Sequence, residues 1–164
     1  DSSLPPDTFL YVKDHPHEYA YRSAEDYSRL MKVPNIRLFH QSFPGKILIK
    51  NAIGVFTING TAGFEAVMMG KPVYCFARSY YSFFEKVNYI KNIKDTREIV
   101  YSNINREFKD DNDLYAFVYA YLKSAHPGFV AYFNLAAESE IDVKANAKIV
   151  ADEIRKLPEH VMEK

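Results

Sequence analysis

Residues 53–76 read IGVFTINGTAGFEAVMMGKPVYCF, and this segment decides the fold. An apolar run is followed by a turn of small residues at 59–63, a short helical pattern, the helix-ending Gly70-Lys71-Pro72, and a second apolar run. A strand, a helix and another strand at this spacing form a parallel βαβ unit. The turn places backbone N–H groups at the start of a helix, which is where proteins bind phosphate most readily.

The same alternation continues on both sides of this segment. The residue patterns predict strands at 8–13, 36–39, 53–58 and 72–76, and helices at 23–32, 42–49, 61–69, 113–125 and 142–157. The run at 53–58 is almost entirely apolar, which predicts a strand covered on both faces. We therefore predict an α/β fold, a Rossmann-like open parallel sheet with flanking helices. It forms one domain over residues 1–164, with 158–164 frayed.

Composition narrows the classes of function. The chain has 21 Lys and Arg against 21 Asp and Glu, so its net charge is zero, which predicts no nucleic-acid partner. One cysteine in 164 residues excludes an internal disulfide and fits a reducing, cytoplasmic compartment. No apolar run reaches the roughly 20 residues of a membrane span. The first residues, DSSLPPDTF, lack an initiator Met and a signal-peptide pattern, which predicts a fragment of a longer protein.

Polar residues follow three of the predicted strands, at the ends where open parallel sheets bind ligands. The Thr61 hydroxyl and the N–H groups of Ala62 and Gly63 suit phosphate oxygens. The side chains of His15 and Arg78 add charge-assisted hydrogen bonds. The carboxylate of Glu65, one turn into the helix, can accept hydrogen bonds from a ribose diol. The candidate residues for nucleotide and phosphate binding are His15, Pro16, Asn59, Gly60, Thr61, Ala62, Gly63, Glu65 and Arg78.

Each candidate also has a simpler interpretation that the sequence leaves open. His15 can be an inert turn residue before Pro16, or it can form a weak metal pattern with His17 and Glu18. Glu65 can be a carboxylate near the helix N-terminus whose only effect is a favourable interaction with the helix dipole. The pair Gly60 and Gly63 can make a tight strand-to-helix connection that binds no ligand. No Asp-x-Asp motif follows a predicted strand, so no metal site is predicted.

Three motifs together resemble the bacterial capsule polysaccharide biosynthesis family. They are KDHP at 13–16, TINGTAGFEA at 57–66 and GKPV at 70–73. That family includes transferases of CMP-activated Kdo and is similar to GT-B glycosyltransferases generally. The resemblance extends from residue 8 to about residue 90, and at Ala77-Arg78 the chain departs from the glycine that family members often carry. In the family, the His-Pro pair and the turn before the Glu-bearing helix contact the nucleotide. The residues that receive this role are His15, Pro16, Asn59, Gly60, Thr61 and Glu65.

The resemblance also implies what the domain does. A GT-B enzyme has two Rossmann-like halves, and this chain resembles the C-terminal half, which holds a nucleotide-sugar donor such as a CMP-activated sugar. A glycan or glycolipid acceptor then binds through a missing N-terminal domain. The implied chemistry is displacement at the anomeric carbon without a cofactor or metal, with the catalytic residues unassigned. The isolated domain is expected to be inactive. The full-length protein is expected in the cytoplasm, peripherally at the inner face of the inner membrane.

Two other functions stay open at this stage. One is a domain of an enzyme similar to the nucleotide-sugar 2-epimerases, which share the GT-B fold and a similar turn followed by a glutamate. The other is a non-catalytic Rossmann-like interaction module. Binding of a nucleotide separates the interaction module from both enzymes.

Overall fold

A computed structural model of the chain describes residues 4–15, 22–106, 108, 112–128 and 142–156. The chain divides into two compact units, Asp1–Asp110 and Asp111–Lys164. All strands among the described residues lie in the first unit.

Strands and helices alternate along the first unit. Its elements are β1 (Leu10–Lys13), α1 (Ala24–Met31), β2 (Ile36–Phe39), α2 (Gly45–Asn51), β3 (Val55–Thr57), α3 (Thr61–Met68), β4 (Val73–Cys75), β5 (Val87–Tyr89), a 3₁₀ turn (Ile93–Asp95) and α4 (Thr96–Asn103). Every strand pair is parallel: β1 pairs with β2, and β4 lies between β3 and β5. Parallel strands flanked by helices confirm the predicted α/β, Rossmann-like class.

Local sequence signals set the ends of two helices. Ser23 caps α1: its hydroxyl accepts from the Asp26 N–H, and the Asp26 carboxylate accepts from the Ser23 N–H in return. Helix α3 ends before Gly70, whose φ of +71° lies in the left-handed region that favours glycine. The predicted glycine stop of this helix is therefore confirmed.

Burial within the three-stranded sheet differs from the prediction. The sequence predicted that the strand at 53–58 is covered on both faces, and this prediction was wrong. Strand β3 is partly exposed throughout, and Ile58 beside it is 69% exposed. The reason is topological, because β3 stands at the edge of its sheet. The strand buried at every position is β4, which includes the fully buried Cys75. Tyr74 of β4 packs with Ile90 and Val100 in the core.

The second unit contains two described helices, α5 (Asn112–Ser124) and α6 (Val143–Arg155). Asp142 caps α6 by accepting hydrogen bonds from the N–H groups of Lys144 and Ala145. The carboxylate of Glu153 accepts from Lys156 and pairs with His126, and these hydrogen bonds lower the pKa of Glu153. No helix within the described residues is long and apolar enough to cross a membrane.

Candidate functional site

The predicted phosphate turn lies at the carboxyl end of β3, at the start of α3. The Gly60 N–H donates to the Thr57 hydroxyl oxygen at 3.1 Å, and the Gly63 N–H donates to the Gly60 carbonyl at 3.0 Å. The Gly63 N–H, expected to face a phosphate, is therefore engaged inside the turn. The N–H groups of Thr61 and Ala62, at the first two helical positions, have no acceptor within the helix. Both residues are exposed, so these two groups are the donors that the turn offers to an anion.

Tyr81 supports this turn from inside the protein. Its hydroxyl donates to the Gly60 carbonyl at 2.6 Å, and its side chain is fully buried. The same hydroxyl contacts the Cys75 thiol of β4. Burial raises the pKa of Tyr81 to about 12 and also raises the pKa of Cys75, so the phenol and the thiol stay neutral near pH 7. The ring fills the space beside Gly63, where a Cβ would lie only 2.4 Å from the Tyr81 oxygen.

Arg78 lies in the loop that follows β4, next to the turn. The loops after β3 and β4 remain paired beyond the strands, because the Ala77 N–H donates to the Ile58 carbonyl at 2.9 Å. Arg78 is the next residue and is exposed. Its guanidinium carbon lies 5.4 Å from the centre of the Tyr89 ring, at the carboxyl end of β5. A cation and the two N–H donors of the turn therefore occupy one edge of one sheet, which suits an anionic ligand.

Asn59 and Glu65 flank the turn. Asn59 is exposed, immediately before Gly60, and Glu65 is half-buried in the second turn of α3. The ribose contact expected of Glu65 stays a prediction.

His15 belongs to the other sheet. It follows β1, which is hydrogen-bonded to β2 and not to β3, and its side chain is exposed. The structure therefore does not join His15 to the β3–β4–β5 edge, where the sequence placed all the candidates together. Pro16, His17 and Glu18 lie outside the described residues. The Asp14 carboxylate fixes the chain just before His15 by accepting from Tyr27 Oη at 2.5 Å and from Arg22 Nε at 2.8 Å.

Residues 2–97 match the sequence profile of the family described as capsule polysaccharide biosynthesis protein. The match covers more than half of the chain. The chain belongs to the capsule polysaccharide biosynthesis family. No curated protein and no solved structure matches it. The matched residues include β1 to β5, and with them the turn at 59–63 and Arg78.

In this capsule biosynthesis family member, Asp14 makes stability depend on pH. The Tyr27 hydrogen bond, followed by that of Arg22, holds the pKa of Asp14 below its ordinary value. A carboxylate whose pKa is lowered by folding stabilises the fold above its unfolded pKa, and this contribution disappears as pH falls through the folded pKa. We expect Asp14→Asn to lower the free energy of unfolding by about 1–2 kcal/mol at pH 7. The difference from the native chain should shrink steadily below pH 4.

Urea unfolding of both proteins at pH 7, 5, 4 and 3 measures this difference. Glu25→Gln is the control, because it removes an exposed carboxylate paired with Arg29 in α1 and should cost less than about 0.5 kcal/mol. A loss for Asp14→Asn that stays constant from pH 7 to pH 3 contradicts the assignment.

Two residues that build the turn were not recognised as part of it from the sequence. Tyr81 received no role among the aromatic residues at 80–84, and Thr57 appeared only within the predicted strand at 53–58 and the motif at 57–66. The structure separates that aromatic run into buried Tyr81 and Phe84 and exposed Tyr80 and Phe83. The contact between Tyr81 and Gly60 spans 21 residues, and no local pattern indicates it.

Proposed function

We propose that this chain is the donor-binding domain of a glycosyltransferase that acts in the synthesis of capsule or other surface polysaccharide. Membership of the capsule biosynthesis family supports the pathway. The observation that supports the donor site is the carboxyl edge of the β3–β4–β5 sheet, which carries the N–H groups of Thr61 and Ala62 after β3 and Arg78 after β4. Ligands of open parallel sheets bind at this edge, beyond the carboxyl ends of the strands.

The proposed ligand is a nucleotide sugar, with CMP as the first candidate for its nucleotide. Its phosphate lies at the start of α3, where the partial positive charge of the helix and the two N–H groups face it. Arg78 adds a positive charge that can form bidentate hydrogen bonds with phosphate oxygens. During displacement at the anomeric carbon, the nucleotide phosphate leaves with growing negative charge, and these same groups stabilise it.

The remaining candidates complete the proposed site. Glu65 accepts hydrogen bonds from the ribose, and Asn59, His15 and Pro16 contact the nucleotide. In a GT-B arrangement, the acceptor glycan or glycolipid binds to an N-terminal half. The full-length enzyme then works peripherally at the cytoplasmic face of the inner membrane.

Replacement of Arg78 by alanine tests the site directly. We expect calorimetric titration of the native chain with CMP, UDP and GDP to give saturable binding of one nucleotide. Arg78→Ala should weaken that binding by about 10- to 100-fold, because a hydrogen bond to a charged group contributes about 1.5–3 kcal/mol. Arg97→Ala is the matched control: Arg97 is also exposed and also lies 5.4 Å from a tyrosine ring, that of Tyr101, but on α4. It should leave affinity unchanged.

Two further variants divide the site into its parts. Glu65→Ala should weaken the binding of nucleotides, which carry a ribose, more than it weakens the binding of inorganic pyrophosphate. His15→Ala tests whether the end of β1 takes part, since the structure holds it in a separate sheet. Equal affinity in the native and Arg78→Ala proteins contradicts the donor site. Binding of no nucleotide by this chain and by the full-length protein supports the interaction module instead.

A further inference from the structure

A slot separates β1 from β3, and two cavities open into it. One has a volume of about 350 Å³ and is lined by β1, by β3 and by Leu48 and Ile49 of α2. The other has a volume of about 550 Å³ and is lined by Val33 and Pro34, which precede β2, together with residues that follow β4. Leu10 of β1 and Phe56 of β3 line both cavities, and so does Leu4, which precedes β1. The cavities therefore lie on two sides of the line that joins these strands.

Among the described residues, the backbones of β1 and β3 each direct groups that lie outside their own ladders toward this slot. The Leu10 N–H donates to the Asn35 carbonyl on the β2 side, and the Val55 N–H donates to the Pro72 carbonyl on the β4 side. In a parallel ladder, alternate residues direct their N–H and C=O groups to opposite sides. Tyr11 and Phe56 therefore direct theirs away from β2 and β4, toward each other's strand. Since β1 and β3 belong to different sheets, no ladder joins these two described edges.

The side chains along these two edges are apolar, as they are in strands at the centre of a sheet. Phe9 and Tyr11 of the β1 region are 50% and 53% exposed, and Ile53 and Ile58 around β3 are 55% and 69% exposed. Natural edge strands are usually protected by charge, proline or a covering element. Apolar runs on both faces are instead typical of strands buried within a parallel sheet.

We propose that the slot is the place of a further strand, parallel to β1 and β3, that precedes β1 in the full-length polypeptide. With this strand counted as strand 1, β1 and β2 become strands 2 and 3, and β3, β4 and β5 become strands 4, 5 and 6. The order across the completed sheet is then 3-2-1-4-5-6. That is the order of doubly wound nucleotide-binding sheets. A strand there pairs with Tyr11 on one side and with Phe56 on the other. Its successive side chains point to opposite faces, one set into each cavity.

Amide hydrogen exchange of the full-length gene product and of residues 1–164 tests this proposal. In residues 1–164, we expect the amides of Tyr11 and Phe56 to exchange rapidly. In the full-length protein, they should slow by about a hundredfold or more, since they become members of a central ladder. The amides of Leu10 and Val55 are internal controls, because they are already paired in this structure. They report any general gain in stability.

A pair of proline variants gives a second measurement that does not depend on exchange. Tyr11→Pro removes an N–H that faces the slot, whereas Val12→Pro removes one that faces β2. In residues 1–164, Val12→Pro should lower the midpoint of thermal unfolding strongly, and Tyr11→Pro only slightly, because proline is tolerated on an open edge. In the full-length protein, Tyr11→Pro should become as damaging as Val12→Pro.

Two results overturn the proposal. If Tyr11 and Phe56 are already protected in residues 1–164, the slot is closed within this chain. If the two amides stay unprotected in the full-length protein and Tyr11→Pro remains mild there, no preceding strand occupies the slot.

Discussion

Replacement of Gly63 by alanine is expected to destabilise the protein by about 2–4 kcal/mol, which combines overpacking against a rigid neighbour with the loss of a hydrogen bond. An added Cβ lies 2.4 Å from the Tyr81 oxygen, 2.8 Å from its Cζ and 2.9 Å from its Cε2. The ring is fully buried and its hydroxyl is bonded to Gly60, so it cannot move aside without breaking that bond. The gain in helix propensity from alanine, about 1 kcal/mol, is too small to offset this.

Thermal unfolding measures the effect, with an expected fall in midpoint of roughly 5–15 °C for a chain of this size. Gly45→Ala is the matched control: it also lies in the first turn of a helix, but a Cβ there meets nothing within 4 Å. It should be neutral or slightly stabilising. The double variant Gly63→Ala/Tyr81→Phe should recover part of the loss, because it removes the shortest of the three contacts. A midpoint for Gly63→Ala equal to that of Gly45→Ala contradicts the packing described here.

Removal of either of two tyrosine hydroxyls is expected to change the free energy of unfolding, but in opposite directions, because the two hydroxyls differ in their hydrogen bonding. Tyr81→Phe deletes the hydroxyl that donates to Gly60 and should cost about 1–2 kcal/mol. Tyr74→Phe deletes a buried hydroxyl that has no hydrogen-bond partner among the described residues and should raise the free energy of unfolding by about 1 kcal/mol, since an unpaired polar group is costly to bury. Both tyrosines are almost fully buried, so each serves as the control for the other.

Urea unfolding should therefore separate the two variants by about 2–3 kcal/mol, the sum of the two effects. The midpoint of denaturation should change in each case while its slope stays constant, because neither change alters the surface exposed on unfolding. Equal effects of the two substitutions would falsify the assigned difference in hydrogen bonding. In Tyr81→Phe, the amide of Gly63 should also exchange faster, because its acceptor, the Gly60 carbonyl, is no longer fixed.

Much of the fold could be predicted because its signals are local. Ser23 with Asp26, Gly70 before Lys71-Pro72, and the apolar run of β2 each determine an element through residues within one or two turns of one another. The predicted strand at 36–39 coincides with β2. The segment at 59–63 was also placed correctly, after β3 and at the start of α3.

The elements that were not predicted depend on distant partners. Strand β5 has three residues with Asn88 at its centre, a weak pattern that becomes a strand only because β4 lies beside it. The exposure of β3 depends on which strand occupies its free edge. For the site, the chemical character of the turn could be predicted, whereas the role of Tyr81 could not, because it depends on contacts with Gly60 and Gly63, which lie 18 or more positions away.

The loop after β4 combines fixed and variable positions at close range. Tyr81 and Cys75 are buried, and the Ala77 backbone is paired with Ile58, so these three positions fix the path of the loop. Between them, Arg78 is exposed, whereas the half-exposed Tyr80 ring still contacts the rings of Phe64 and Tyr81. In a mutational library, the chain should thus accept many residues at 78 and few at 75 and 81. For the proposed donor site, we therefore expect single substitutions at Arg78 to change ligand preference without a redesign of the scaffold.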